Sequence, residues 1–172
     1  MNDDFDYILI SRMLETVSMS NNEAKQGGLP FAAMVIDEFG NVLGRGIEQI
    51  QRLNDPTAYA ETQAVKEACL TVGSIYLEDN ILITSAEPHA LAYTSALFAR
   101  VSKIYFAVDR KQLAQYGVYR ESSYQIFSLD PYDWLFSRVH QLKVPGYLTA
   151  LDILGLTQRR PKASVTAHAN NH

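Results

Sequence analysis

Apolar residues at the start of the chain fall at Phe5, Ile8, Leu9, Met13, Val17 and Ala24. Phe5, Ile8, Leu9 and Met13 recur at helical spacing, which predicts an amphipathic helix ending near Gly27-Gly28. The pattern then changes. Phe31 to Ile36 is a short apolar run, Asp37 to Asn41 is turn chemistry, and Val42 to Ile47 follows. Two strands joined by a Gly/Asn turn predict a hairpin. Asn54-Asp55-Pro56-Thr57 marks a loop entering a helix, with Asp55 or Thr57 able to cap it. That helix, Ala58 to Val72, places Ala60, Ala64, Val65, Ala68 and Cys69 on one side, and Gly73 stops it.

Ile81 to Ser85 reads as a buried strand, Ala90 to Arg100 as a helix opened by Pro88, and Ile104 to Val108 as a second buried strand. The order α-β-β-α-β-α-β implies right-handed crossovers and a sheet covered on both faces. Leu113–Tyr116 and Trp134–Leu142 read as further helices. From Thr157 the chain turns polar, so residues 1–156 are expected to form one domain and residues 157–172 a flexible tail.

Composition narrows the function classes. The net charge is −4 and no Lys/Arg stripe is present, so charge gives no support to nucleic-acid binding. No apolar run approaches a membrane span, and the acidic start lacks a leader's basic and apolar regions. The single cysteine, Cys69, fits a reducing compartment. A cytoplasmic protein is expected.

The chemistry-bearing residues cluster in two short segments. Asn54-Asp55-Pro56-Thr57-Ala58 precedes Ala60-Glu61, with Ala64 on the same helix. Thr84-Ser85 and Glu87-Pro88 precede the next helix, which ends on Ala99-Arg100. With Pro30-Phe31-Ala32-Ala33 in the first strand, this series resembles the cytidine/deoxycytidylate deaminase-like superfamily, and within it the guanine deaminase and tRNA adenosine deaminase branch. The resemblance runs from about Pro30 to Ala107. It implies a three-layer α/β/α fold with a mixed, roughly five-stranded sheet, and a homodimer or an oligomer with a related protein.

Zinc deaminases carry H-x-E at one helix start and P-C-x-x-C at the next, so that one His and two Cys hold a zinc whose fourth position takes water. On this resemblance the His position falls on Tyr59, and the two Cys positions fall on His89 and Ala92. The proton-shuttle position is Glu61. The Gly-His-Asn segment, whose Asn holds the base, reads Gly46-Ile47-Glu48. Phe31, Glu48 and Asn54 are the implied substrate-binding positions, and Glu61, Tyr59 and His89 the implied catalytic ones.

The departures shape the expected function. Ala92 has no donor atom, and one imidazole does not hold zinc, so no metal site and no zinc cofactor are expected. Zinc lowers a bound water's pKa by roughly 8 to 9 units, and a lone carboxylate recovers only about 3 to 5 kcal/mol of that activation. The expectation is a catalytically degenerate deaminase-like protein, kept for assembly or for binding a small molecule. The alternative is a metal-free or altered-metal enzyme in which Glu61 is the acid–base. Glu61 also has a structural role open to it, since an acid in a helix's first turn favours the dipole. Tyr59 is expected to fill space beside Ala86 and Ala92, with its hydroxyl partnered by Glu61 or His89. The aromatics Tyr116, Tyr119, Tyr124, Phe127, Tyr132, Trp134 and Phe136 are expected to serve the core or an interface.

Overall fold

The computed structural model describes residues 3–129. They run α1 (Asp3–Lys25), β1 (Ala32–Ile36), β2 (Val42–Ile47), α2 (Ile50–Leu53), α3 (Ala60–Val72), β3 (Ile81–Ala86), α4 (Ala90–Phe98), β4 (Lys103–Val108), α5 (Arg110–Gln115) and α6 (Glu121–Gln125), with a 3₁₀ turn at Ile126–Ser128. All lie in the first of two compact units, Met1–Asp130. The expected helix Trp134–Leu142, the tail 157–172 and the aromatics Tyr132, Trp134 and Phe136 fall outside the described residues.

The strands form one mixed sheet in the order β2-β1-β3-β4. β1 is antiparallel to both β2 and β3, while β3 and β4 are parallel. Both central strands are buried along their whole length, which is why they read as unbroken apolar runs rather than alternating ones. Their two faces are nevertheless distinct. Met34, Ile36, Ile81 and Ile83 turn toward α1, meeting Phe5, Leu9, Met13 and Met19. Ala33, Val35 and Leu82 turn the other way, into a cluster with Ala60, Ala64 and Ala68 of α3 and Ala96 of α4. The two-residue period of the pleat sorts the faces.

The α/β/α architecture is as expected, but the sheet has four strands among the described residues rather than five. The short α2 was not expected. Four residues carry too little periodicity to register, and its end is set by Asn54 in the left-handed region at φ 51°.

The start of α3 also differs. The helix begins at Ala60, and its N-cap residue, Tyr59, gives no side-chain cap. Asp55 is occupied by its own turn, accepting from the Thr57 amide at 2.8 Å and the Thr57 hydroxyl at 2.6 Å. The loop thus closes on itself.

Packing of α3 on the sheet depends on small residues facing one another. Gly44 and Gly46 of β2 lie under Ala60, Ala64 and Ala68. A Cβ added at Gly46 would strike the Ala60 carbonyl oxygen and come within 2.7 Å of the Ala64 nitrogen. Glycine is needed here for close approach of two backbones, not for an unusual φ. No helix among the described residues is long and apolar enough to cross a membrane.

Candidate active site

Four segments converge at the end of the sheet where α3 and α4 begin. The residue just past β2 is Glu48, the start of α3 delivers Tyr59 and Glu61, β3 delivers Thr84, and the start of α4 delivers His89. Arg120, just before α6, and Phe31, just before β1, complete the cluster. Glu48, Glu61, His89 and Arg120 are all at least nine-tenths buried.

Backbone bonds fix Glu48 from both sides. Its amide donates to the Phe31 carbonyl at 3.2 Å, and the next amide, Gln49, donates to Ala58 at 2.9 Å. Burial, with the neighbouring charge of Glu61 adding to it, lifts the Glu48 carboxyl to about 7, and Arg120 opposes the rise.

Glu61 is the second residue of α3. Burial pushes its carboxyl upward, while its own backbone amide, Arg120 and Thr84 pull it down. The Thr84 hydroxyl lies 3.3 Å from Glu61 Oε1 and 3.0 Å from the Ala86 carbonyl. With that hydroxyl donating to Ala86, its oxygen can accept from a protonated Glu61, which suits the raised carboxyl.

His89 caps α4. Its ring Nδ1 accepts the Ala92 amide at 3.0 Å, so Nδ1 carries no proton. Burial, the largest cause, holds the imidazole down to about 4, and the ring is neutral near pH 7. The remaining proton therefore sits on Nε2. That atom is buried and has no hydrogen-bond partner among the described residues.

Tyr59 is half-buried and packs across His89, with ring centroids 3.6 Å apart and planes at 88°. No hydrogen bond from its hydroxyl to Glu61 or His89 is present among the described residues. Ala86 and Ala92 are buried.

Arg120 lies over the Phe31 ring, 4.9 Å from its centroid, and its Nε has no partner among the described residues. Sequence reading missed Arg120. It lies beyond the recognisable motifs, and one arginine in a short loop carries no periodic signal.

Asn54 makes no side-chain hydrogen bond to this cluster among the described residues. It is exposed and ends α2, its backbone amide bonded to Ile50. Of the aromatics expected in the core or an interface, Tyr116, Tyr119 and Phe127 stand largely in solvent, outside the core.

One consequence of Glu48 can be measured directly. A carboxyl at about 7 when folded, against 4.5 for the free group, binds its proton more tightly in the folded state. The stability it contributes is full below pH 4.5 and is lost as pH rises through 7. The gap corresponds to roughly 3 kcal/mol. Glu48→Gln is therefore expected to flatten the stability–pH curve from pH 5 to pH 8, gaining on the parent most at pH 8. Urea unfolding across that range checks it, and parallel curves for the two proteins would sink it.

The sequence matches the family described as the cytidine and deoxycytidylate deaminase zinc-binding region over residues 9–108. It is 32% identical to the guanine deaminase of Bacillus subtilis over 102 residues, covering 59% of this chain and 64% of that protein. It is 33% identical to the tRNA-specific adenosine deaminase of Aquifex aeolicus over 88 residues, covering 51% of this chain and 58% of that one. The matches thus span less than two thirds of either relative. The crystal structure of the Bacillus subtilis guanine deaminase superposes with a TM-score of 0.75 over 94% of this chain and 99% of that one, at 23% identity.

This match overturns the expectation that zinc is no cofactor, because the shared region is the zinc-binding region of a zinc-binding family. The expectation rested on counting donors at three positions, and such a count describes those positions rather than the cofactor of the fold. The donor set itself is a separate matter. Tyr59 offers a phenol and Ala92 offers nothing, while His89 has Nδ1 engaged with a backbone amide and its proton on Nε2. Among the described residues, no three His, Cys, Asp or Glu side chains come together as a metal cage. These residues do not reproduce the family's three-ligand set.

Proposed function

The chain belongs to the cytidine and deoxycytidylate deaminase family, and from that premise we infer that it keeps the deaminase pocket as a binding site for a small nitrogen heterocycle. The observation that carries this reading is the pair of buried, unpartnered N–H groups, His89 Nε2 and Arg120 Nε. A buried donor left unpaired costs about 1–3 kcal/mol. Two such donors in one cluster are the arrangement expected where a ligand supplies the acceptor. Phe31 and Tyr59 add flat aromatic surface, and Glu48 and Glu61 add acceptors. The names of the relatives, a guanine deaminase and a tRNA-specific adenosine deaminase, support a purine-type ring as the class to try first. Because one of them is specific for tRNA, an acidic composition does not remove nucleic acid from consideration in this family.

Thermal unfolding with a panel of purine and pyrimidine bases and nucleosides tests the reading. Binding at a hundred times Kd adds about 2.7 kcal/mol and raises Tm by several degrees. The shift is expected to vanish when His89 and Arg120 are both replaced by alanine. A panel in which no member moves Tm would refute it, and so would a shift indifferent to those two residues.

A second reading, turnover, is favoured by Glu61. Its buried carboxyl favours the protonated form, the state from which a proton can pass to a departing amine. Ammonia release that disappears in Glu61→Gln while ligand binding remains would separate turnover from binding alone. The homodimer reading draws support from the apolar side chains Leu70, Leu97 and Phe98, which α3 and α4 hold in solvent.

A further inference from the structure

We propose that Glu48 sets the ligand's chemistry: the pocket takes a ring that presents two adjacent N–H donors, an amidine or guanidine edge, to the Glu48 carboxylate. This rests on the binding reading above and deepens it. An amide at this position would offer one donor and one acceptor. An ionised carboxylate offers acceptors only, two oxygens side by side, which match a pair of parallel N–H groups.

The placement suits that role. Glu48 is held by backbone bonds to Phe31 on one side and, through Gln49, to Ala58 on the other, so its carboxyl is presented from a fixed point. Its side chain has no hydrogen-bond partner among the described residues. On leaving the buried cluster it also lines a polar cavity of about 170 Å³ with Glu23, Gln26, Gln49, Gln51 and Arg52, a cavity that Phe31, Tyr59, Glu61, His89 and Arg120 do not border. The other carboxylate there is already engaged, since Glu23 accepts from Arg52 at 2.7 Å. Glu48 is therefore the residue common to this cavity and the buried cluster, and its carboxyl is free to receive a ligand.

The buried cluster contains two carboxyls, Glu48 and Glu61, and one guanidinium, Arg120. The neutral His89 adds no charge. With Glu61 protonated, Arg120 balances an ionised Glu48, so the edge that meets Glu48 needs two N–H donors and no charge of its own, while His89 Nε2 and Arg120 Nε have no partner among the described residues.

Calorimetric titration at pH 8 with 2-aminobenzimidazole and benzimidazole tests this on the full chain. The first ring carries the guanidine edge and the second lacks the exocyclic amine. The parent is expected to prefer 2-aminobenzimidazole by about tenfold or more, as a charge-assisted second hydrogen bond provides. Glu48→Gln is expected to lose that preference yet still bind benzimidazole. Equal binding of the two rings by the parent would overturn the proposal, as would a preference that survives in Glu48→Gln. In either case, binding of both rings that weakens in Arg120→Ala leaves the pocket reading standing. Binding of neither ring, or binding indifferent to Arg120→Ala, overturns both.

Discussion

Replacing Gly46 by alanine is expected to lower the unfolding free energy by about 3 kcal/mol and to open the candidate site with the same stroke. Overpacking a well-filled interior costs typically 1–3 kcal/mol when side chains can give way. Here the obstacle is backbone. The new Cβ meets the Ala60 carbonyl and lies 2.7 Å from the Ala64 nitrogen, so relief requires α3 to lift from β2. Ala60 lies between Tyr59 and Glu61, so the lift carries both residues away from His89 and Thr84. Gly73 is the internal control. It ends the same helix at φ +70° with nothing within 4 Å of an added Cβ, and Gly73→Ala is expected to lose only about 1–2 kcal/mol from the left-handed conformation. Urea unfolding of the two variants, with ligand binding measured alongside, decides it. A Gly46→Ala protein no less stable than Gly73→Ala, with binding intact, would show that the contact is not limiting.

Removing Arg120 should be nearly as costly, and the cost should depend on pH. Its guanidinium is buried over Phe31, and its charge lowers both Glu48 and Glu61. Taking one partner from a buried charge cluster costs about 3–5 kcal/mol because the other charges remain. The sign of the pH effect follows from Glu48. Without Arg120 its folded carboxyl moves further above 7, while the unfolded value stays at 4.5. Below pH 4.5 the group is protonated in both states and the loss is small. Up to about pH 7 the folded group is protonated in parent and variant alike and the two curves run parallel; above it the parent ionises while the variant must protonate or unfold, so the loss grows toward pH 8. Arg120→Ala is expected to lose about 3 kcal/mol at pH 8 and distinctly less at pH 5. Combining it with Glu48→Gln should recover part of the loss at pH 8. Equal destabilisation at both pH values would mean that Arg120 contributes packing and not charge.

Assembly of the site explains why these two positions matter more than their neighbours. Gly46 sets how closely α3 approaches the sheet, and thereby where Tyr59 and Glu61 stand. Arg120 sets the electrical balance of what they enclose. Neither is a residue that the family's zinc chemistry would single out.

The sequence by itself determined the order and type of the elements from Asp3 to Gln115, apart from the four-residue α2. Unbroken apolar runs separated by helical spacing leave few other ways to bury β1 and β3. It also placed Glu61, Tyr59 and His89 at helix starts, because Pro56 and Pro88 mark those starts locally. Family membership was legible for the same reason, since its motifs lie on the elements that build the core.

Tertiary structure alone decided the rest. The tautomer of His89 follows from a bond to Ala92 that no spacing rule announces. Arg120 reaches the cluster from 59 positions beyond Glu61, a distance over which sequence pattern carries no information. Asn54, implied by the resemblance to touch substrate, is turned to solvent by the local left-handed end of α2. The raised carboxyl of Glu48 depends on how much water the fold removes around it. Periodicity reports which face of an element is covered, whereas the protonation and pairing of a buried group depend on everything that converges on it.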